Sequence, residues 1–341
     1  MITKVGIFFL LLVNLARPAQ AAQVQCRYLF HTDDRVSKSV RSFQNGKQDT
    51  TSLRQEVKFV VKTADLDAYL PKLEQFFKER FRNRDKAPEG FANITSTRYM
   101  SVGKFIQNGK QLSAKIRFRK YFIRDLNDAN WKNLIVAPEL ADRSWLELKI
   151  QHPEFDNVVF KPRLQILDKD ISKLITEKYF DYKDGIIKRL LELNPNKAED
   201  VAKFAAYFDA LYTTPSMKKE NMFAQTQYER TSYSIKMRDG KERIDVQITL
   251  DQNVRLTRLK DGSQFNAYGA DETVVEVKIP VKYAKLDDDV LRQVSDLAEI
   301  KRFIAMLGEY HVPKYPMNKG KMSKIDRKSD MQNDPDGDDW D

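Results

Sequence analysis

The stretch Lys115-Ile116-Arg117-Phe118-Arg119-Lys120-Tyr121 decides the fold. In a strand, alternate side chains point to opposite faces, so Lys115, Arg117 and Arg119 share one face while Ile116 and Phe118 share the other. The same alternation recurs at Glu56 and Lys58, Glu147 and Lys149, Lys161 and Arg163, Asp245 and Gln247, and Glu276 and Lys278, each between apolar neighbours. A strand face open to water accepts any polar residue, whereas these faces return repeatedly to cations with a few carboxylates among them. The pattern predicts an α+β fold: an antiparallel sheet of about eight or nine strands, closed into a tunnel or barrel with a charged interior, and helices packed outside. Enclosed cations are costly without anions, so the interior is expected to receive a polyanion, with the carboxylates holding a divalent metal.

The flanking sequence supplies the other strands. Residues 54–62 read as the first strand. Residues 65–82 then read as a helix whose apolar side carries Leu66, Leu70, Leu73, Phe76, Phe77 and Phe81, with Pro71 starting or kinking its main turn. Strands at 94–106 and 112–122 are expected to meet at Asn108-Gly109, a dipeptide suited to a tight hairpin turn. Residues 103–111 nearly spell a phosphate loop, but Asn108 replaces its second glycine and Gln111 its magnesium-binding hydroxyl, so the hairpin is preferred. A second hairpin is expected from 144–151 and 157–164 around Asp156-Asn157.

At 168–224 the apolar period becomes helical and the segment reads as an insert of helices, punctuated by Pro195 and Pro215. Strands resume at 228–237, 242–251, 254–260 and 273–280, with turns at Asp239-Gly240 and Asp261-Gly262, and a helix over 287–309 ends the domain. The basic run 314–328 and the acidic end with Asp334, Asp336, Asp338, Asp339 and Asp341 read as a charged tail. The expected organisation is a leader at 1–21, an irregular lead-in at 22–53, the domain at 54–316 with its insert, and a flexible tail at 317–341.

Composition narrows the function classes. Hydrophobic residues make up 41% and charged residues 32% of the chain, which excludes a disordered polymer. Lys and Arg number 59 against 49 acids, an excess that suits an acidic ligand. One cysteine, Cys26, forbids an internal disulfide, and three histidines (His31, His152 and His311) are too few and scattered for a zinc site. Lys4, the apolar run at 5–15 and Ala19-Gln20-Ala21 predict a signal peptide cleaved after Ala21, hence export to a periplasm or the exterior. That run is too short to span a bilayer, so no transmembrane segment is expected after cleavage.

In this order, Glu56-Val57-Lys58, Ile94-Thr95-Ser96, Ile116-Arg117-Phe118-Arg119, Leu146-Glu147-Leu148-Lys149, Lys161, Tyr228-Glu229-Arg230-Thr231, Ile248-Thr249-Leu250-Asp251, Val275-Glu276-Val277-Lys278 and Pro313-Lys314-Tyr315 resemble the VTC domain. This is the polyphosphate polymerase domain of the vacuolar transporter chaperone, a member of the triphosphate tunnel metalloenzymes. The resemblance implies that Lys58, Arg117, Arg119, Lys149, Lys161, Arg230, Lys278 and Lys314 hold phosphate oxygens, with Lys149, Arg117 and Arg119 catalytic. It also implies Glu276 as principal ligand of a Mn2+ or Mg2+ ion, with Glu56 and Glu147 nearby.

Two positions depart from the family pattern. Gln247 stands four residues before Asp251, where the family has an arginine, and Lys314-Tyr315-Pro316-Met317 lacks the serine and second lysine of the last motif. Two functions stay open: an exported metal-dependent enzyme hydrolysing or transferring phosphoryl groups of inorganic triphosphate or polyphosphate, and a non-catalytic envelope protein binding polyphosphate or another phosphorylated polymer. Nucleic acid is not expected as a partner, because no aromatic platform alternates with the cations. Glu229 points opposite Arg230 along its strand and is read as structural.

Overall fold

The structure is a computed structural model. It describes residues 54–84, 86–107, 110–136, 140–151, 159–160, 163–176, 178–213, 224–259, 261–280, 283, 291–292 and 294–310, with side chains for all of these except 54–55, 101–107, 110–115, 149–151, 159–160 and 210. The fold is an antiparallel sheet with helices, in the α+β class. Its strands are β1 (Arg54–Lys62), β2 (Phe81–Asn83), β3 (Phe91–Gln107), β4 (Lys110–Asp125), β5 (Leu134–Ile135), β6 (Arg143–Gln151), β7 (Val159–Phe160), β8 (Arg163–Leu167), β9 (Ala224–Asp239), β10 (Glu242–Arg258), β11 (Gln264–Asn266) and β12 (Glu272–Pro280). The helices are α1 (Thr63–Phe77), α2 (Asp168–Leu174), α3 (Tyr179–Leu193), α4 (Ala198–Thr213) and α5 (Asp296–Glu309).

The expected closed tunnel is not formed. Hydrogen-bonded neighbours in the 12-stranded sheet run β1-β12-β10-β9-β3-β4-β6-β7, with β11 on β10, β2 on β9, β5 on β4 and β8 on β6. Closure needs the outermost strands to bond each other, and among the described residues β1 and β7 share no ladder. The strand count also exceeds eight or nine, because β2, β5, β7 and β11 are two- or three-residue pieces too short to show alternation.

The chain divides into two compact units. The first holds β6 to β8, α2 to α4, residues 98–107 of β3 and residues 110–120 of β4. Its core joins Ile116, Phe118, Leu146, Leu148, Leu164 and Ile166, from one face of β4, β6 and β8, to Ile171, Tyr179, Ile186, Phe204, Phe208 and Leu211 of the helices. Alternation in the strands and helical spacing in the insert therefore meet in one core. Asn194, just beyond α3, is buried, and its side chain bonds both backbone groups of Gln165 at 2.8 and 2.9 Å on the side of β8 facing away from β6. Lys197 adds a bond of 2.7 Å to the carbonyl of Arg163.

The second unit holds β1, β2, β9 to β12, α1 and α5. Phe59 and Val61 of β1, Val275 and Val277 of β12, and Ile248 and Leu250 of β10 form one apolar face under Leu66, Leu73 and Phe77 of α1 and Leu297, Ile300, Phe303 and Leu307 of α5. A separate apolar cluster of Val60, Tyr228, Val254, Leu256, Tyr268 and Val274 lies on the opposite side of these strands.

Several boundaries differ from those read in the sequence. The first helix is shorter, because Lys78 takes a positive φ of 48° and ends it; Phe81 joins β2 opposite Ile235 and stacks on Tyr233 at 4.7 Å. Pro71 neither starts nor ends α1 but lies exposed inside it. The strands read at 242–251 and 254–260 are one strand, β10, over Glu242–Arg258, bent by a bulge between Gln252 and Arg255 where Asn253 takes a φ of 50°. Of the helix read over 287–309, Asp296–Glu309 is helical and 294–295 are not, while 287–290 and 293 lie outside the described residues. The Asn108-Gly109 and Asp156-Asn157 turns, the leader, the lead-in and the tail lie outside the described residues. Among the described residues, no helix is long and apolar enough to cross a membrane.

Candidate functional site

In the first unit, strand register builds a row of charge. Glu147 of β6 is opposite Arg117 on β4 and opposite Arg163 on β8. Arg117 Nε lies 2.6 Å from Glu147 Oε2, Arg163 Nε 3.2 Å from Oε1, and Arg119 Nη1 3.5 Å from Oε1. Burial alone raises the pKa of Glu147, but Arg119, Arg117 and Arg163 outweigh it and hold the carboxyl below its ordinary value. Three guanidinium groups thus converge on one carboxylate.

Trp145 shares this face, opposite Arg119 and Gln165, and the guanidinium carbon of Arg163 sits 4.0 Å from its ring centroid. An aromatic ring therefore does stand among the cations, contrary to the sequence reading. The signal was available, since Trp145 precedes Glu147 by the strand period of two.

In the second unit, β1, β12, β10 and β9 carry a second polar face. Register sets Lys58 opposite Glu276 and Glu56 opposite Lys278, sets Gln247 opposite Lys278 and Thr249 opposite Glu276, and sets Asp251 opposite Arg230. Lys278 Nζ is 2.5 Å from Glu276 Oε1 and Lys58 Nζ is 3.4 Å from Oε2. Burial pushes the Glu276 carboxyl up, yet Lys58, Lys278 and Arg230 hold it well below the usual range. Lys58 mirrors this: burial lowers its pKa, and Glu276 and Glu56 bring it above the ordinary value. Arg230 donates from Nε and Nη2 to the two oxygens of fully buried Asp251 at 2.6 and 2.7 Å. Here Lys58, Lys278 and Arg230 face Glu56, Glu276 and Asp251, a balanced set.

The predicted residues thus fall into two groups. Lys58, Arg230, Lys278, Glu56 and Glu276 share the polar face of the second unit, while Arg117, Arg119 and Glu147 meet in the first. Lys149 is placed by backbone alone, opposite Lys115, and Lys161 and Lys314 lie outside the described residues. Sequence reading missed two members. Arg163 takes a place at Glu147, and Asp251, read only as a strand-end marker, anchors Arg230. Arg255, a conceivable substitute for the arginine missing at 247, instead donates to the carbonyl of Ala129 at 2.9 Å and lies over Trp131. Glu229 pairs with Arg124, which fits its structural reading.

The donor set bears on a metal. Among the described residues no three His, Cys, Asp or Glu side chains converge into a cage. A small hard cation needs only one or two protein carboxylates when phosphate oxygens complete its shell. Glu276, held ionised, and Glu56 on the same face fit that requirement. Glu147 stands among three arginines, as Glu276 stands among Lys58, Lys278 and Arg230.

The depressed carboxyls set a pH dependence. Each contributes stability that is fully present above its unfolded pKa near 4.5 and lost as pH falls through its folded value. Unfolding free energy measured in urea is expected to be level near neutrality and to fall below about pH 4.5, with a shallower acid slope in Glu147→Gln. Stability that rises on acidification would contradict this account of the two clusters.

The VTC domain family model matches residues 53–303. No curated protein matches the chain. Among solved structures, the chain is similar to the PH1819 protein from Pyrococcus horikoshii OT3, at 14% identity and a TM-score of 0.32, over 82% of this chain and 99% of that one. VTC domains are associated with polyphosphate, with the triphosphate tunnel type of fold and, as a family, with divalent metals. With its family pattern matched over most of its length, the chain belongs to the VTC domain family.

Proposed function

We propose that the chain is an exported, metal-dependent enzyme acting on inorganic triphosphate or polyphosphate by hydrolysis or phosphoryl transfer. The observation that carries this reading is the set of three arginines that converge on Glu147 from β4 and β8, side chains of the type that binds phosphate oxygens. Arginine suits phosphate because its planar fork makes paired hydrogen bonds to the oxygens. Arg117 and Arg119 orient a phosphoryl group and stabilise charge in a loose transition state, with Lys149 next to them in sequence register.

In the second unit Lys58 and Lys278 supply mobile point charges, while Arg230 is fixed by Asp251 and keeps the local field constant. Glu276 and Glu56 would hold Mn2+ or Mg2+, which when bound polarises a phosphoryl oxygen. Export rests on the leader read at 1–21 and places the enzyme in a periplasm or outside the cell.

A second reading is a non-catalytic binder of polyphosphate or another phosphorylated polymer in the envelope. Gln247 favours it: this neutral side chain stands opposite Lys278 on the polar face, where the family carries an arginine. The deciding measurement is phosphate release from tripolyphosphate, long-chain polyphosphate and ATP by residues 22–341 with manganese, magnesium or chelator. Metal-dependent release is expected, and tight binding without release from any of the three would select the binder.

A further inference from the structure

We infer that the outer face of α3 is a dimerisation surface, and that its occupant is α3 of a second copy of this chain, lying antiparallel across a two-fold axis. α3 buries Tyr179, Ile186 and Leu190 in the core of the first unit. Its apolar residues do not stop there. Phe180, Ile187 and Leu191 fall about a third of a turn further round, and with Asp184 they recur at spacings of four, three and four, which is the spacing of a helix–helix seam. Phe180 is 49% and Leu191 39% exposed, and with Tyr182 this one helix carries three of the eight exposed large hydrophobic side chains among the described residues.

The neighbouring helices fix where the seam lies. Lys173 of α2 sits over the Tyr182 ring and Arg189 donates to Asp170 of α2, so one flank of α3 is taken by α2. Lys183 and Tyr179 both donate to Asp209 of α4, at 2.5 and 3.1 Å, so the other flank leans on α4. The seam runs along that second flank, turned away from the core. Phe180 rests there against Tyr179 and Tyr212, at 5.2 and 6.5 Å between ring centroids, an aromatic anchor already in place. Ala202, exposed, and Ala205, half-buried, share the α4 stripe of Asp209, and their small side chains let a second helix come close to α4 as well.

Charge selects the occupant. Asp184 sits in the seam and Lys188 beside it one turn later, both exposed. Two copies running in the same direction set Asp184 against Asp184 and Lys188 against Lys188. With the copies antiparallel and the axis beside Gly185 and Ile186, each Asp184 meets the partner's Lys188 and each Phe180 meets the partner's Leu191, so the face complements itself. A lipid surface offers Asp184 no such partner and, where anionic, repels it. One helix face with the α4 ledge beside it is smaller than the roughly 800 Å² per partner of a standard interface, so the expected Kd is on the order of 10–100 μM.

The test is sedimentation velocity of residues 22–341, on variants checked for wild-type thermal unfolding. Wild type is expected to be monomeric at about 1 μM and dimeric at about 300 μM. Leu191→Glu is expected to raise the Kd about 30-fold or more, leaving monomers at both concentrations. Asp184→Lys and Lys188→Asp are each expected to stay monomeric alone, whereas their equimolar mixture dimerises, because every contact across the axis then joins opposite charges. A wild-type chain still monomeric at the higher concentration would overturn the inference, and Phe180-dependent flotation with phosphatidylcholine–phosphatidylglycerol vesicles would then assign the face to a membrane. Dimers that survive Leu191→Glu and both charge variants would place the contact on another surface and overturn it equally. Loss of dimers in the single charge variants without rescue in the mixture would overturn the antiparallel arrangement.

Discussion

Glu276→Gln is expected to reduce metal-dependent phosphate release from tripolyphosphate by a factor on the order of 1,000 or more, since metal polarisation of a phosphoryl group supplies several kcal/mol and each 1.4 kcal/mol is tenfold. Glutamine has nearly the same shape but no charge, so it removes the ligand and leaves the strand. The same change leaves Lys58 and Lys278 facing a neutral amide, and removing one partner of a buried ion pair costs about 3 kcal/mol. The melting temperature should then drop by roughly 6–12 °C with the circular dichroism of the folded state retained. Unchanged turnover would take Glu276 out of the mechanism. If neither protein turns over and Glu276→Gln binds tripolyphosphate more tightly, the two lysines are the binding groups and the non-catalytic reading gains.

The second large effect concerns stability. Asp251 is fully buried and accepts two parallel hydrogen bonds from Arg230, whose pKa, depressed by burial on its own, is raised well above the ordinary value by this partner. Asp251→Ala strands a guanidinium out of water, at a cost of about 3–5 kcal/mol. Urea unfolding should show that loss, whereas replacing the pair together, Asp251→Leu with Arg230→Met, should recover most of it while leaving the second unit's face with one cation fewer. A loss below about 1 kcal/mol for Asp251→Ala would mean that solvent reaches Arg230 and that the pair is not an anchor.

Much of this was legible in the sequence for a simple reason. Side-chain direction in a strand has period two, so Lys58 with Glu56, Arg117 with Arg119, and Glu276 with Lys278 could be put on common faces without knowing which strands were neighbours. The helices followed from their own period, and the order of the strand motifs indicated the family. What failed depended on contacts distant in sequence. Closure is a property of the outermost strands and leaves no mark in either one. Asp251 pairs with Arg230 in the unbroken register that runs from the Asp239-Gly240 turn, so the anchor followed only once β9 and β10 were counted back from that turn as one hairpin. Arg163 and Lys161 have the same parity, so alternation could not choose between them, and the partner that engages Arg163 lies on a strand many residues earlier. Trp145 shares the parity of Glu147, so its face was readable from the sequence, but an uncharged ring leaves no mark in a pattern of alternating charge.

The amide of Asn194 has a consequence beyond holding α3 to β8. By satisfying the outward N–H and C=O of Gln165, and with Lys197 occupying the carbonyl of Arg163, it leaves that margin of the sheet with few groups for another chain to recruit. Unpaired sheet margins are where copies of a protein add strand to strand and aggregate. A side chain that imitates a neighbouring strand makes this edge a poor template for such growth.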